Sequence, residues 1–219
     1  SPVIRPSSIV SESMDEPHNS GYNIYEVSNN GTPLPYSINQ TMMRVEMSEN
    51  LEPGYSYTFY IKWNYKINNR LEDGGRSGYE HFEDEDNAMF IAAQFFPRMA
   101  VYNDVEGWQN YQFWGAGEFA LPFGDYEVNI TVPADHIVEA TGELQNRKKV
   151  YSKKMMQRYE KALNTFDKPV IIVSEEEAIE NEKTKSKQTK TWTYEAEMVR
   201  DFAFTSSRKY ILDMMNVKV

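Results

Sequence analysis

The fold class is decided by the stretch Tyr55-Ser56-Tyr57-Thr58-Phe59-Tyr60-Ile61-Lys62-Trp63-Asn64-Tyr65-Lys66-Ile67. Its odd positions are all aromatic or aliphatic, whereas its even positions, apart from Tyr60, are polar. A period of two is that of a β-strand with one buried and one solvated face. Pro53-Gly54 marks a turn just before it. We therefore predict a long, central strand over Tyr55–Ile67.

Several other segments alternate or form short apolar runs. They predict strands over Thr41–Met47, Ala88–Phe96, Tyr126–Val132, Val170–Val173 and Trp192–Met198. One segment, Arg147–Leu163, has its apolar residues at helical spacing and predicts an amphipathic helix. Asn68–Asn87 is polar and rich in glycine, which indicates a loop. The fold class that follows is mainly β, an antiparallel β-sandwich with one or two inserted helices, in one domain over 22–219 after a flexible segment over 1–21.

Composition excludes several classes of function. The net charge of −10 disfavours a protein that binds the phosphates of nucleic acid. The absence of cysteine excludes disulfides, thiolate nucleophiles and Cys-ligated zinc. No run of 18 apolar residues is present, so we predict no transmembrane segment, and Ser1–Ser13 lacks a signal-peptide pattern.

The three histidines, His18, His81 and His136, are too far apart for the zinc motif His-Glu-x-x-His. His81 lies within the acidic run Glu80–Asp86, for which a solvated loop is favoured over a hard-cation site because the EF-hand spacing is missing. His136 follows Asp135, and a role in a turn is favoured over a catalytic dyad because triads are not built from sequence neighbours.

Three further patterns have structural and functional interpretations. The glycines of 74–78 and 115–117 favour tight turns over a phosphate loop, because no helix with Lys-Ser/Thr follows them. The basic residues of 147–161 favour a solvated helix face over a membrane or nucleic-acid surface. The aromatic residues Trp108, Tyr111, Phe113 and Trp114 could stack on a sugar or belong to the core, and the pattern leaves both open.

A series of motifs, in the same order, resembles the N-terminal domain of bacterial M1-family metallopeptidases. They are Ala93-Gln94-Phe95-Phe96-Pro97-Arg98-Met99-Ala100-Val101-Tyr102, Gly107-Trp108, Gly117-Glu118-Phe119, Phe123-Gly124-Asp125-Tyr126-Glu127-Val128, Thr131-Val132-Pro133-Ala134-Asp135-His136, Ala140-Thr141-Gly142-Glu143-Leu144 and Val199-Arg200-Asp201-Phe202-Ala203-Phe204-Thr205-Ser206-Ser207. The resemblance covers roughly residues 24–219.

The resemblance implies a saddle-shaped β-sandwich that packs on a zinc-containing catalytic domain further along the parent chain, with more strands before Ser1. It implies that this piece is not an enzyme and holds no cofactor by itself, whereas the parent is a zinc aminopeptidase of the bacterial periplasm or cell envelope. In the family, the N-terminal domain contributes a loop with the sequence Gln-x-Glu or Gln-x-Gln to the active site, where it binds the peptide substrate. The matching substrate-binding residues here are Gln94 and Phe96, and Phe96 stands where an acid or amide is usual.

Two further predictions concern self-association and an alternative function. The implied loss of leading strands and of the catalytic domain would leave a sheet edge or an apolar face uncovered near Gln94, which predicts self-association of the fragment. The alternative function, from a different class, is a stand-alone carbohydrate- or protein-binding sandwich that uses Trp108 and Trp114.

Overall fold

The computed structural model describes residues 21–112 and 120–218. Strands make up 41% and helices 14%, so the prediction of a mainly-β fold is confirmed. The described chain divides into two compact units. The first unit comprises 21–67 and 110–112, and the second comprises 68–109 and 120–218. Apart from Gly21, the segment predicted to be flexible over 1–21 lies outside the described residues.

The first unit consists of short antiparallel strands. They are β1 (Asn23–Asn29), β2 (Thr32–Pro33), β3 (Tyr36–Asn39), β4 (Met42–Val45) and β5 (Tyr60–Asn64). A three-stranded sheet has the order β2-β1-β5, and β3 pairs with β4 as a hairpin. The β1–β2 turn consists of Asn30 and Gly31, both at positive φ, as a two-residue hairpin requires. Val27 and Leu34 are the buried apolar side chains of this unit's described residues.

The prediction of a long central strand over Tyr55–Ile67 is wrong in length and in place. The strand runs only from Tyr60 to Asn64 and lies at the edge of its sheet, beside the central β1. The alternation itself is present, because the odd positions from 57 to 65 are half-buried and the even positions are exposed. Pairing stops early because the side-chain amide of Asn29 donates to the carbonyl of Thr58, where the ladder would otherwise continue.

The second unit holds the remaining elements. Its helices are α1 (Arg70–Asp73), α2 (Arg147–Val150), α3 (Lys153–Ala162) and α4 (Glu175–Glu182). Its strands are β6 (Gly78–Phe82), β7 (Asn87–Ala93), β8 (Tyr102–Asn103), β9 (Gly107–Trp108), β10 (Gly124–Pro133), β11 (Ile137–Ala140), β12 (Glu143–Leu144), β13 (Val170–Val173), β14 (Thr189–Val199), β15 (Ala203–Ser207) and β16 (Leu212–Met214). The two larger sheets have the orders β10-β14-β12 and β11-β15-β7-β6, and β13-β16 and β8-β9 are two-stranded.

Both larger sheets contribute to one core, which is the arrangement of a sandwich. From β14, Trp192, Tyr194 and Ala196 are buried at alternate positions, as the pattern predicted. The predicted fourth member, Met198, is exposed. Its φ of +50° accompanies a shift in the β10–β14 register, and a bulge of this kind turns a side chain away from the face that its neighbours share.

The predicted helix over Arg147–Leu163 is two helices, α2 and α3. Tyr151 is extended between them, and the hydroxyl of Ser152 accepts a hydrogen bond from the amide of Met155, which starts α3 afresh. The prediction of one or two helices is too low, since the described residues contain four. A capping box starts α4: Ser174 accepts from the Glu177 amide, and the Glu177 carboxylate accepts from the Ser174 amide.

The prediction of a loop over Asn68–Asn87 is also wrong. The segment contains α1 and β6, and β6 pairs with β7 along its whole length. Charged residues within β6 interrupt the apolar alternation, so the period of two is not visible in the sequence. The tight turn that closes this hairpin ends at Asp86, whose φ is +47°.

Candidate functional site

Gln94 and Phe96 lie in the loop that follows β7, because this strand ends at Ala93 and not at the predicted Phe96. The hydroxyl of Ser77 accepts from the Ala93 amide at 2.8 Å and donates to the Ala93 carbonyl at 2.6 Å, which holds the last residue of β7 in place. Gln94 then adopts a φ of +54°, and its side chain is exposed. The chain therefore turns sharply at the strand end and presents a carboxamide to solvent.

Phe96 is half-buried, and its ring packs against the core. Its half-buried ring lies edge-on to Phe95 and Tyr126, with centroid distances of 5.1 and 5.8 Å. Further along the same loop, Arg98 pairs with Asp201 at 3.2 Å, and both side chains are largely covered. The loop 94–98 is thus fixed at two points beyond Gln94. An anchored loop of this kind can orient one polar side chain toward a ligand at small entropic cost.

His136 and Ser206 form a buried pair that the sequence did not predict. The Nδ1 atom of the histidine lies 2.8 Å from the serine Oγ atom, and the residues are 3% and 1% exposed. Burial lowers the pKa of His136 to about 4, and the positive charge of Arg208 adds to the effect. The ring is therefore neutral at pH 7, and neither group is open to a substrate.

Asp135 does not complete a catalytic triad with this pair. Its carboxylate forms an ion pair with the Arg208 guanidinium at 2.9 Å and accepts hydrogen bonds from the Ser186 amide at 2.6 Å and from the Thr184 hydroxyl at 3.0 Å. Burial opposes ionisation, but these bonds outweigh it and lower the pKa of Asp135 to about 2. The backbone amide of His136 donates to the Pro133 carbonyl in a turn. The arrangement is that of a buried polar network that fixes a turn.

The acidic run around His81 forms the hairpin between β6 and β7. The imidazole Nε2 atom of His81 lies 3.2 Å from Asp86, and the ammonium group of Lys209 lies 3.5 Å from Glu85 and 2.8 Å from Glu182. Within 21–112 and 120–218, no group of three or more His, Asp or Glu side chains has the arrangement of a metal site.

The structure also gives the positions of the glycine clusters and of the aromatic residues that the sequence analysis named. Gly74 and Gly75 have positive φ, as a tight turn demands, whereas Gly78, also at positive φ, is the first residue of β6. The glycines of 115–117 lie outside the described residues. Trp108 is 54% exposed and lies edge-on to the exposed Tyr102, with ring centroids 5.2 Å apart. Tyr111 is exposed, and Phe113 and Trp114 lie outside the described residues.

One polar cluster within the second unit was missed by the sequence analysis. It consists of Glu139 on β11, Arg147 at the start of α2, Tyr151 after α2, and Trp192 on β14. Each contributes one buried side-chain atom without a hydrogen-bond partner among the described residues. A signal was present in Ile137-Val138-Glu139-Ala140, where a carboxylate interrupts an otherwise apolar strand.

No known protein family, no curated protein and no solved structure matches this chain. In the described part of the chain, no helix has the length and apolar character that crossing a membrane requires.

Proposed function

We propose that this chain is a non-catalytic β-domain of a zinc-dependent M1-family aminopeptidase, which packs on the catalytic domain of that enzyme and contributes a substrate-binding loop. Support comes from the ordered motifs over roughly 24–219 and from the antiparallel, mainly-β fold. The single observation that carries the proposal is the position of the matched motif. Gln94 is exposed at a sharp turn directly after β7, while Phe96 and Arg98 anchor the loop behind it.

The loop offers two contacts to a peptide substrate. The carboxamide oxygen of Gln94 can accept a hydrogen bond from the free ammonium group of the peptide. Phe96 offers an apolar ring edge instead of the second polar group that is usual in the family, so it favours apolar over polar contacts with the N-terminal side chain. Zinc and the reacting groups would belong to the catalytic domain, and periplasmic or cell-envelope location is part of the same proposal.

The first test is to determine the coding sequence beyond Val219. A His-Glu-x-x-His motif within a few hundred residues supports the proposal, and its absence from the complete parent protein contradicts it. The second test is kinetic and uses the parent enzyme. Gln94→Ala should raise KM for all aminoacyl substrates, whereas Gln157→Ala, on the exposed face of α3, should leave KM unchanged.

Phe96→Ala should change the ranking of substrates by kcat/KM. A pocket wall that gains or loses a few methylene groups changes discrimination by about 1–3 kcal/mol, or roughly 5- to 150-fold. A panel of aminoacyl substrates with apolar, polar and charged N-terminal residues measures this. Equal relative kcat/KM values for the Phe96→Ala variant and the unchanged enzyme would show that Phe96 does not take part in substrate recognition.

The exposed pair Tyr102–Trp108 favours a second candidate, a carbohydrate- or protein-binding module. Exposed aromatic faces stack on sugar rings and on apolar side chains. Calorimetric titration with a panel of oligosaccharides tests the carbohydrate form. Binding that Trp108→Ala abolishes and Gln94→Ala preserves would support this candidate over the peptidase domain.

A further inference from the structure

Seven buried polar atoms in the second unit lack a hydrogen-bond partner among the described residues. Four of them belong to the polar cluster described above: Oε1 of Glu139, Nε of Arg147, the hydroxyl of Tyr151 and Nε1 of Trp192. Tyr151 and Trp192 are 6% and 0% exposed. A buried polar group that makes no hydrogen bond costs about 1–3 kcal/mol, and the large majority of such groups in native proteins are bonded. Four orphaned atoms in one core therefore require a common explanation.

The aromatic contacts bring three of these residues together. The Tyr151 ring lies edge-on to Trp192, with centroids 5.9 Å apart, and edge-on to Tyr159, with centroids 6.3 Å apart. The guanidinium carbon of Arg147 lies 4.6 Å above the ring of the same Tyr159. Arg147 donates through Nη1 to Glu143 at 3.3 Å, and its Nε is buried without a hydrogen-bond partner among the described residues.

Glu139 lies on β11, which belongs to the other of the two larger sheets. The hydroxyl of Tyr194, which is buried two positions after Trp192, donates to the carbonyl of Val138 at 2.8 Å. This bond places the residue before Glu139 against β14. Burial raises the pKa of Tyr151, and the Glu139 carboxylate raises it further, which agrees with a short separation between the two groups.

The chemistry of the four atoms identifies the ligand class. Arg147 Nε and Trp192 Nε1 can only donate, Glu139 Oε1 accepts when ionised, and the Tyr151 hydroxyl can do either. An anion would be opposed by Glu139, and a cation would be opposed by Arg147. A water molecule accepts two hydrogen bonds and donates two, and internal waters usually make about three bonds to otherwise unsatisfied groups.

We propose that Glu139, Arg147, Tyr151 and Trp192 form a buried site for at least one ordered water molecule in the core of the second unit. The water joins the two larger sheets of this unit, because it bonds β11 and β14 and the residues around α2 at the same time. This proposal is independent of the proposed aminopeptidase function.

A crystal structure of the 219-residue chain, at a resolution that shows ordered solvent, tests the site directly. We expect one water oxygen within about 3.2 Å of at least three of the four atoms. Direct pairing of these atoms with one another, or a dry core around them, would overturn the proposal.

Substitutions provide a solution test. Tyr151→Phe removes one of the four partners of the water, and we expect the residence time of the internal water, measured by oxygen-17 relaxation dispersion, to shorten. Tyr194→Phe is the matched control, because that buried hydroxyl has a protein acceptor, and it should leave the residence time unchanged. An unchanged residence time in Tyr151→Phe contradicts the proposal.

A double-mutant cycle covers the case in which water exchange is too fast for relaxation dispersion. If one water bonds both groups, Glu139→Leu and Tyr151→Phe together should change the unfolding constant by about fivefold less than the product of their single effects, because leucine offers no hydrogen-bonding atom. Additive effects would show that the two groups do not share a ligand.

Discussion

The Nδ1 atom of His136 lies 2.8 Å from the Oγ atom of Ser206, across 70 residues of sequence and inside the core of the second unit. The contact joins the residue before β11 to β15, its neighbour in the four-stranded sheet. A histidine, a serine and an aspartate are therefore near one another without the exposure or the order of contacts that nucleophilic catalysis needs.

Ser206→Ala should destabilise the fold, because it leaves a buried ring nitrogen without a partner. The expected loss in the free energy of unfolding is about 1–3 kcal/mol, measured by urea denaturation. Ser56→Ala, at an exposed position, should change it by less than about 0.5 kcal/mol. Equal values for the two variants would show that the His136–Ser206 bond contributes nothing.

Glu139→Gln should stabilise the protein at alkaline pH and have little effect at pH 4. Burial raises the pKa of Glu139 to about 7, against the opposing effect of Arg147, so the folded protein holds this proton more tightly than the unfolded chain does. Stability from the protonated carboxyl is complete below pH 4.5 and is lost as the pH rises to 7. The difference amounts to about 3 kcal/mol at pH 8, which chemical denaturation at both pH values can measure. A benefit of the substitution that is equal at both pH values would contradict this assignment.

His136 and Glu139 should oppose each other between pH 4.5 and 6.5. The folded-state pKa of His136 is lowered to about 4 beside Arg208 and Asp135, so His136 adds stability as the pH rises. Glu139, which lies in the field of Arg147, Tyr151 and Tyr194, removes stability over nearly the same range. We expect the unchanged protein to show a flat profile in this window.

Single variants should separate the two opposing effects on the pH profile. Glu139→Gln should show stability that rises with pH in the window, and His136→Gln should show stability that falls. Denaturation midpoints at steps of half a pH unit measure both slopes. Parallel profiles for the two variants would show that neither group controls the response.

Gly142→Ala should be among the most destabilising single-methyl additions in this chain. Gly142 has a φ of +89°, and a Cβ atom there would overlap the carbonyl oxygen of Glu195 on β14. Gly107→Ala is the matched control, since Gly107 also has a positive φ but open space around its Cα. We expect a cost of about 1–2 kcal/mol for the control, from backbone strain alone, and at least twice that for Gly142→Ala. Thermal and urea unfolding measure both costs.

The sequence predicted the strands of the core more accurately than those of the first unit. In β10 and β14 the alternation coincides with continuous pairing from Tyr126 to Pro133 and from Thr189 to Ala196, so pattern and structure agree as far as the bulge at Met198. In Tyr55–Ile67 the alternation of apolar and polar residues indicates only that one face is half-buried. It does not give the length of the strand, which depends on the pairing partner and on side chains such as Asn29 that bond to backbone groups in its place.

The candidate site was predictable only in part. The apolar run predicted a strand over Ala88–Phe96, whereas β7 ends at Ala93, so Gln94 and Phe96 lie beyond it. The packing of Phe96 on Tyr126 depends on residues 30 positions apart. The Ser206 contact of His136 and the cluster around Glu139 likewise depend on pairings between distant strands, which local periodicity does not encode.

The uneven distribution of buried apolar side chains has a consequence for amide hydrogen exchange. In the first unit, Val27 and Leu34 are buried, whereas the second unit has a continuous cluster that includes Trp192, Tyr194 and Phe202. The free energy of a local opening scales with the apolar surface that it exposes. Amides in β1 and β5 should therefore exchange through frequent partial openings, while amides in β10 and β14 should exchange only when the second unit unfolds as a whole.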